Sequence, residues 1–155
     1  MKRILALAIM LVATSSILCA QTQSREHPVE KFFMAGIAAF NGHDLDGFMK
    51  QFADDIEMYT PTGWLRGRPS VRERFAQTFR QFPSVKMEIE DLRVREVARG
   101  MAVTDFKWRV YPMGQGPAFH GIGSGVYIRR GKPWVEVLEH ETVMKVDEGL
   151  APGKK

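Results

Sequence analysis

Cysteine is almost missing from this 155-residue sequence, whose single example, Cys19, lies close to the N terminus. A chain without that segment has no thiol nucleophile and forms no disulfide. A surplus of charge is missing too, because 22 Lys and Arg residues stand against 18 Asp and Glu residues. Beyond the N-terminal segment there is no run of about eighteen apolar residues, the length that a membrane helix needs. These shortages argue against a thiol enzyme, a nucleic-acid-binding protein and a membrane protein.

The N-terminal segment has the pattern of a signal peptide. Lys2 and Arg3 precede an apolar run from residue 4 to residue 18. A run of about fifteen residues is too short to span a bilayer and suits the core of a signal peptide. The small side chain of Ala20 fits the last position before cleavage. We therefore expect residues 1–20 to be removed and the product to be periplasmic or secreted, with no membrane attachment.

A lipoprotein signal is the alternative interpretation, with Cys19 as the acylated residue. The peptidase of that pathway favours a small residue before the cysteine, and Leu18 is bulky. Cleavage after Ala20 is therefore the favoured prediction. Removal of Lys2 and Arg3 leaves 22 − 2 = 20 basic residues against 18 acidic ones, which gives nucleic acid no strong electrostatic target.

The first half of the remaining chain has the spacing of helices. Apolar side chains at positions 29, 33, 37 and 40 predict a first helix over 28–41, ended by Asn41-Gly42 in a left-handed conformation. Asp44 suits the N-cap of a short second helix. The capping-box pattern of Ser70 and Glu73 predicts a third helix over 70–82.

The second half has the composition of strands, with β-branched and aromatic residues between turn signals. A domain over 28–146 is therefore predicted to be α+β, with three N-terminal helices packed on a curved antiparallel sheet. We expect residues 21–27 to form a linker and residues 147–155 a flexible tail. The predicted strands lie near residues 56–60, 85–97, 101–112, 118–130 and 134–146.

Four stretches, in this order, carry a family resemblance. Residues 39–48 read Ala-Phe-Asn-Gly-His-Asp-Leu-Asp-Gly-Phe, residues 52–56 read Phe-Ala-Asp-Asp-Ile, and Gly67-Arg68 precedes the third helix. The closing stretch from Trp134 to Thr142 resembles the last strand of secreted SnoaL-like proteins. Together the stretches resemble the nuclear transport factor 2-like superfamily, which includes SnoaL-like domains and ketosteroid isomerases. The resemblance implies a cone-shaped fold around a pocket, commonly in a homodimer.

The resemblance also locates the catalytic groups of a ketosteroid isomerase on this chain. The position of the Asp general base falls on Thr60, and that of the Tyr donor falls on Gly36. The position of the protonated Asp falls on Ser124 or Gly125. A hydroxyl does not replace a carboxylate base near neutral pH. We therefore expect no appreciable steroid isomerase activity.

Alternation along the predicted strands suggests which side chains line the pocket. On the predicted strand near 101–112, Phe106 and Trp108 share the apolar set that should face the helices. On the predicted strand near 118–130, alternation places His120 and Ser124 with Ile122 on the predicted inner face. His120 is then a candidate catalytic residue, held neutral by an apolar setting, or a hydrogen-bonded core residue. The opposite set, with Phe119 and Tyr127, is predicted to face away from the helices and, with Val103 and Tyr111 of the preceding strand, to support a homodimer.

The last strand is ambiguous, because a bulge could turn His140 to either face. If His140 faces the pocket, it forms a titratable pair with His120, and Tyr59 at the end of the first strand is a further candidate partner. Trp64 completes the predicted ligand-binding set. A metal site that adds Glu139 is disfavoured, because adjacent strand residues point to opposite faces. We expect no metal and no cofactor.

The sequence favours a binding protein for a small hydrophobic molecule in its pocket. The alternative is an acid–base enzyme, such as an isomerase, dehydratase or cyclase, acting on such a molecule. Fold alone does not choose between them, because one fold hosts many activities. The side chains that line the pocket distinguish the two functions. Titratable groups within hydrogen-bond reach of one another favour the enzyme, and a purely apolar cavity favours the binding protein.

Overall fold

A computed structural model describes residues 26–113 and 116–149 of the chain, so the predicted signal peptide lies outside the described residues. Three helices and six strands make up this part. The helices are α1 (Pro28–Asn41), α2 (Leu45–Met49) and α3 (Arg68–Gln81). The strands are β1 (Phe52–Thr60), β2 (Gly63–Arg66), β3 (Val85–Ala98), β4 (Met101–Pro112), β5 (Ala118–Arg129) and β6 (Trp134–Asp147).

The first two helices confirm the expected spacing and caps, with one change. Helix α1 buries the predicted stripe of four apolar side chains, and the Asp44 carboxylate accepts a hydrogen bond from Gly47 N at 2.8 Å. Gly42 stays in the right-handed region at φ −83°. The left-handed residue is His43, at φ 57°, so the predicted glycine ending is wrong by one position. The four stripe residues are Val29, Phe33, Ile37 and Phe40.

Helix α3 begins two residues earlier than predicted, and the capping box does not form. Its N-cap is Gly67 at φ 78°, without a side-chain cap. The Ser70 hydroxyl instead donates to Arg66 O at 2.6 Å. Only glycine adopts such a φ readily, and this local conformation replaces the side-chain cap.

The six strands form one curved sheet in the order β2-β1-β6-β5-β4-β3. The predicted all-antiparallel sheet is wrong in one pair, because β1 runs parallel to β6. The sequence prediction also missed β2, which pairs with β1 and places Trp64 opposite Tyr59. The chain passes through β2, α3 and three strands before β6 returns beside β1, which is a long enough connection for a parallel pair. In the described ranges no helix combines the length and hydropathy that a bilayer crossing requires.

Strand β5 presents the opposite face to the helices from the one predicted. Tyr127 is fully buried, whereas Ile122 is 47% exposed. Three alternate positions on the inner face are glycines, and aromatic rings of β4 occupy the space above two of them: Phe106 over Gly123 and Trp108 over Gly121. Counting apolar side chains on β5 alone misses this, because the apolar cover comes from the neighbouring strand.

The side chain of Asn41 joins the end of α1 to the edge strand β3. Its Nδ2 donates to Met87 O at 2.8 Å, and its Oδ1 accepts from Met87 N at 2.7 Å. Lys86 Nζ also donates to Asn41 O. The amide therefore satisfies both backbone groups of one strand residue, which holds α1 against the sheet above the apolar core.

Replacing Asn41 with Ala should destabilise the fold by about 2 kcal/mol, because both Met87 backbone groups lose their partner in a half-buried site. Urea unfolding of the variant measures the loss. Lys31→Ala, at an exposed position of the same helix, is the control and should stay within about 0.5 kcal/mol of the parent. Equal stabilities of the two variants would contradict the role given to Asn41.

Candidate functional site

A cavity of about 510 Å³ lies between the helices and the inner face of the sheet. This volume is in the range of small-molecule sites. Most of its wall is apolar and aromatic, and the polar groups are concentrated on β6 and α3. The aromatic wall includes Phe33, Phe40, Phe52, Phe75, Phe106 and Trp108.

A bulge in β6 brings three glutamates to the cavity. Tyr127 of β5 is paired with Glu136 and Val126 with Leu138, so Val137 is one extra residue on β6. A bulge of this kind reverses the alternation of the residues that follow. The inner side chains are therefore Glu136 before the bulge and Glu139 and Glu141 after it, and all three line the cavity.

Glu136 is the most deeply placed of the three carboxyl groups, at 2% exposure. Its Oε2 accepts a hydrogen bond of 3.0 Å from the Tyr127 hydroxyl. Its Oε1 has no hydrogen-bond partner among the described residues. Burial, with the neighbouring Glu139 carboxyl, raises the pKa of Glu136 well above its usual range. Its environment therefore favours the protonated form of the Glu136 carboxyl group.

Glu139 has an acidity suited to proton transfer at neutral pH. Burial is the main cause that raises its pKa from 4.5 to about 8, the negative Glu141 adds to the rise, and the positive Arg74 opposes it. A group with a pKa close to the working pH can both give and take a proton efficiently. Glu139 is thus the group in this cavity with the properties of a general acid–base catalyst.

Glu141 is held in an ion pair with Arg74 of helix α3. The guanidinium donates through Nη1 to Oε1 at 3.2 Å and through Nη2 to Oε2 at 2.5 Å. Such two-point pairs fix the geometry of both side chains. The cavity therefore carries one paired carboxylate beside two carboxyl groups that favour the protonated form.

Only some of the residues that the sequence proposed for the site lie in the cavity. Phe106 and Trp108 lie in the cavity wall. The expectation that His120 enters the cavity is wrong: its Nε2 lies 2.8 Å from Asp147 Oδ2 on the other face of the sheet. Ser124 is on that outer face as well, paired in register with His140.

The bulge places the His140 side chain on the outer face of the sheet. Glu139 points into the cavity, so the two neighbours lie on opposite faces, as strand alternation predicts. The His140 ring meets Tyr59 at the sheet edge, with ring centroids 6.3 Å apart. Tyr59 in turn stacks on Trp64 at 5.1 Å. These three residues form an outer cluster, and the predicted histidine pair is not assembled. Within the described ranges, no group of three or more His, Cys, Asp and Glu side chains could hold a metal ion.

The sequence analysis missed Glu136, Glu141 and Arg74 as site residues, and considered Glu139 only as a metal ligand. A signal was present. The last predicted strand has three acidic residues within six positions, and two of them, Glu139 and Glu141, lie opposite Gly125 and Gly123 of the preceding strand. Only the position of the bulge shows that all three point inward.

A curved six-stranded sheet with N-terminal helices over an apolar cavity defines the nuclear transport factor 2-like class, also described as cystatin-like. Within this class the chain belongs to the SnoaL-like domain family, whose model matches residues 30–136. No curated protein matches the chain in sequence.

Solved structures confirm the fold. A hexachlorocyclohexane dehydrochlorinase, LinA-type3 from Novosphingobium barchaimii, aligns with a TM-score of 0.69 and 12% identity, over 80% of this chain and 88% of that one. An NTF2-like protein of unknown function from Pseudomonas putida aligns with a TM-score of 0.68 and 17% identity, over 76% of this chain and 84% of that one. A protein with a cystatin-like fold from Caulobacter vibrioides aligns with a TM-score of 0.66 and 20% identity, over 76% of this chain and 87% of that one. Identities this low show the fold alone.

The raised pKa of Glu139 predicts a loss of stability with rising pH. The folded state holds the proton more tightly than the unfolded state, so the free energy of unfolding should fall between about pH 4.5 and pH 8. Glu139→Gln should remove roughly 3 kcal/mol of the decrease between pH 5 and pH 8. Urea unfolding at both values measures it. Glu90→Gln, an exposed acid on β3, should keep the full decrease, and an equally steep decrease in both variants would contradict the assignment.

Gly125 should tolerate no side chain, because a Cβ there would collide with Glu136 Oε1 and lie 3.0 Å from Thr104 Oγ1. Gly125→Ala should cost about 1–3 kcal/mol of stability by overpacking and should displace the Glu136 carboxyl. Ser124→Ala, on the outer face of the same strand, should cost less than about 0.5 kcal/mol. Thermal unfolding of both variants tests this, and an unchanged melting temperature for Gly125→Ala would show that the contact is absent.

Proposed function

We propose that this protein is an acid–base enzyme that transfers protons on a small, largely apolar molecule held in its cone-shaped pocket. The observation that carries the proposal is the position of the Glu139 carboxyl, buried in the cavity wall between Glu136 and the Arg74–Glu141 ion pair. This setting raises the pKa of Glu139 to about 8. Environments that push the pKa values of neighbouring carboxyl groups apart are a common basis for acid–base catalysis.

A binding protein without turnover, the function that the sequence favoured, explains the apolar wall but not the polar end of the cavity. Burying carboxyl groups costs free energy, and groups whose pKa values burial shifts strongly cluster at functional sites. The three glutamates therefore favour the alternative, an isomerase or dehydratase type of reaction. The similar fold of a dehydrochlorinase supports the proposal only in showing that such a scaffold accommodates an elimination enzyme.

In the proposed reaction Glu139 both gives and receives the proton. As a carboxylate it removes a proton from a carbon next to an electron-withdrawing group, and as the resulting acid it returns the proton to another atom of the same molecule. The two transfers leave the enzyme unchanged. Arg74 lies close enough to stabilise the Glu139 carboxylate, and Glu141 fixes the guanidinium through two hydrogen bonds.

The proposal also includes export of the protein and its assembly into a homodimer. The signal-peptide pattern supports a periplasmic or secreted location after cleavage behind Ala20. The homodimer is proposed on a corrected basis, because Tyr127 and Phe119, assigned from sequence to the outer face, are respectively fully buried and part of the cavity wall. The support that remains is the exposed Ile122 on the outer face of β5.

Proton exchange into a simple ketone tests the proposed activity without a known substrate. The protein should accelerate deuterium uptake at the carbon next to the carbonyl of 1-tetralone in D₂O by about 100-fold over buffer, a typical contribution of one acid–base group. Glu139→Gln should abolish this acceleration, whereas the exposed Glu90→Gln should retain it. Proton NMR follows the exchange. Parent protein that exchanges 1-tetralone and 1-indanone no faster than buffer would contradict the proposal.

The charges around Glu139 predict how its neighbours shift the pH profile of this exchange. Because the negative Glu141 raises the pKa of Glu139 and the positive Arg74 lowers it, Glu141→Gln should move the inflection below pH 8 and Arg74→Met should move it above. Exchange rates between pH 5 and pH 10 measure both shifts. Equal inflections in the two variants would show that another group titrates.

A further inference from the structure

The side chain of Gln51 is a buried polar group in the cavity wall. Gln51 is only 3% exposed and lines the cavity. Its amide atoms, Nε2 and Oε1, make no hydrogen bond with another described residue, and unlike Glu136 Oε1 they are not sealed inside the protein. Buried polar atoms nearly always have a partner. An amide left open in the wall of a cavity therefore points to a ligand that completes its hydrogen bonds.

A glycine of helix α1 makes room for this amide. Gly36 is buried in the interior of the helix, where glycine is less favourable than alanine. A Cβ at Gly36 would overlap the Gln51 amide, so the side chain packs directly on the helix backbone. The Gln51 carbonyl also accepts a hydrogen bond of 2.8 Å from Glu136 N. The amide is therefore held in position by α1 on one side and β6 on the other.

The chemistry of an amide defines what the ligand must offer. Nε2 donates hydrogen bonds and Oε1 accepts them, and the two atoms lie side by side on one planar group. A simple ketone oxygen satisfies only the donor and leaves the acceptor unpaired, which costs affinity. A carbonyl oxygen with an N–H or O–H group beside it satisfies both atoms. Lactams and α-hydroxyketones have this arrangement.

We propose that the Gln51 amide is a binding subsite for a carbonyl oxygen with a neighbouring N–H or O–H group on an otherwise apolar ligand. Gln51 Nε2 donates to the carbonyl oxygen, and the N–H or O–H of the ligand donates to Gln51 Oε1. This inference rests on the proposed function and adds the substrate class to it, because the same carbonyl group is the electron-withdrawing group that the reaction requires.

The pairing of β1 with β6 places the subsite near the proposed catalytic group. Gln51 directly precedes β1, whose first residue, Phe52, is paired with Glu136 of β6. Glu139 follows Glu136 on the same strand, and all of these residues line the one cavity. A ligand held by Gln51 therefore extends along the wall that contains Glu139, and the aromatic side chains of the cavity cover its apolar remainder.

Two pairs of probes with nearly equal shapes test the subsite by isothermal titration calorimetry. The lactam 3,4-dihydro-2-quinolinone has an N–H where 2-tetralone has a CH₂ group, and 2-hydroxy-1-tetralone adds a hydroxyl to 1-tetralone. The parent protein should bind the first member of at least one pair about tenfold more tightly, because the second member leaves Oε1 unpaired. The pair that shows the preference identifies the donor as N–H or O–H. Equal affinities within both pairs, or binding of no probe, would overturn the inference.

A matched pair of variants locates the preference. Gln51→Met keeps the length of the side chain without its hydrogen-bonding atoms and should lose the preference. Gln77→Met is the control, because Gln77 also lines the cavity but is exposed and donates to Glu73 Oε1 at 3.1 Å. It should keep the preference. If Gln51→Met does not fold, Gln51→Leu replaces it, and the probes on the parent protein still decide. An undiminished preference without the Gln51 amide would count against the subsite.

Glu139→Gln separates this inference from the proposed function. It should keep the preference for the two-point ligand, because the binding readout does not require proton transfer. Such a preference in a parent protein that exchanges no protons would retain the subsite and remove the enzyme. Proton exchange without the preference would retain the enzyme and overturn the subsite.

Discussion

One extra residue in the last strand decides which chemistry the cavity contains. Because side chains alternate along a strand, the bulge at Val137 brings Glu139 and Glu141 to the same face as Glu136. A regular strand would instead continue the face of Glu136 through Leu138 and His140. The cavity would then contain an imidazole and a leucine in place of two carboxyl groups, and the ion pair with Arg74 would have no acidic partner there.

The carboxyl groups and the apolar wall depend on each other. Water around the glutamates would return their pKa values toward the ordinary range, because burial is the main cause that keeps the pKa of Glu139 near neutrality. The aromatic side chains that exclude water belong to all three helices and to the sheet. The pKa of Glu139 therefore depends on how all of these elements pack together. The fold pays for this in stability at alkaline pH, as expected where a site stores unfavourable electrostatics.

Much of the fold follows from local patterns in the sequence. Helix α1 has the predicted limits because its apolar spacing and Pro28 are local features, and four long strands follow from their composition and turns. The parallel pairing of β1 with β6 is a long-range arrangement, and β2 is too short to leave a pattern. The site was harder to predict because its two deciding features are the empty positions on β5 and a bulge in β6. Each concerns how neighbouring strands fit together, and a single strand read alone reveals neither.

The ion pair between Arg74 and Glu141 also links the position of a helix to the acidity of the cavity. Arg74 belongs to α3 and Glu141 to β6, and the guanidinium lowers the pKa of Glu139 while it holds Glu141. A movement of α3 away from the sheet would withdraw the positive charge and leave two like-charged carboxyl groups facing each other. Because burial is the largest cause of the raised pKa of Glu139 and the guanidinium the smallest, the entry of water would outweigh the loss of the positive charge, and such a movement would make Glu139 a stronger acid.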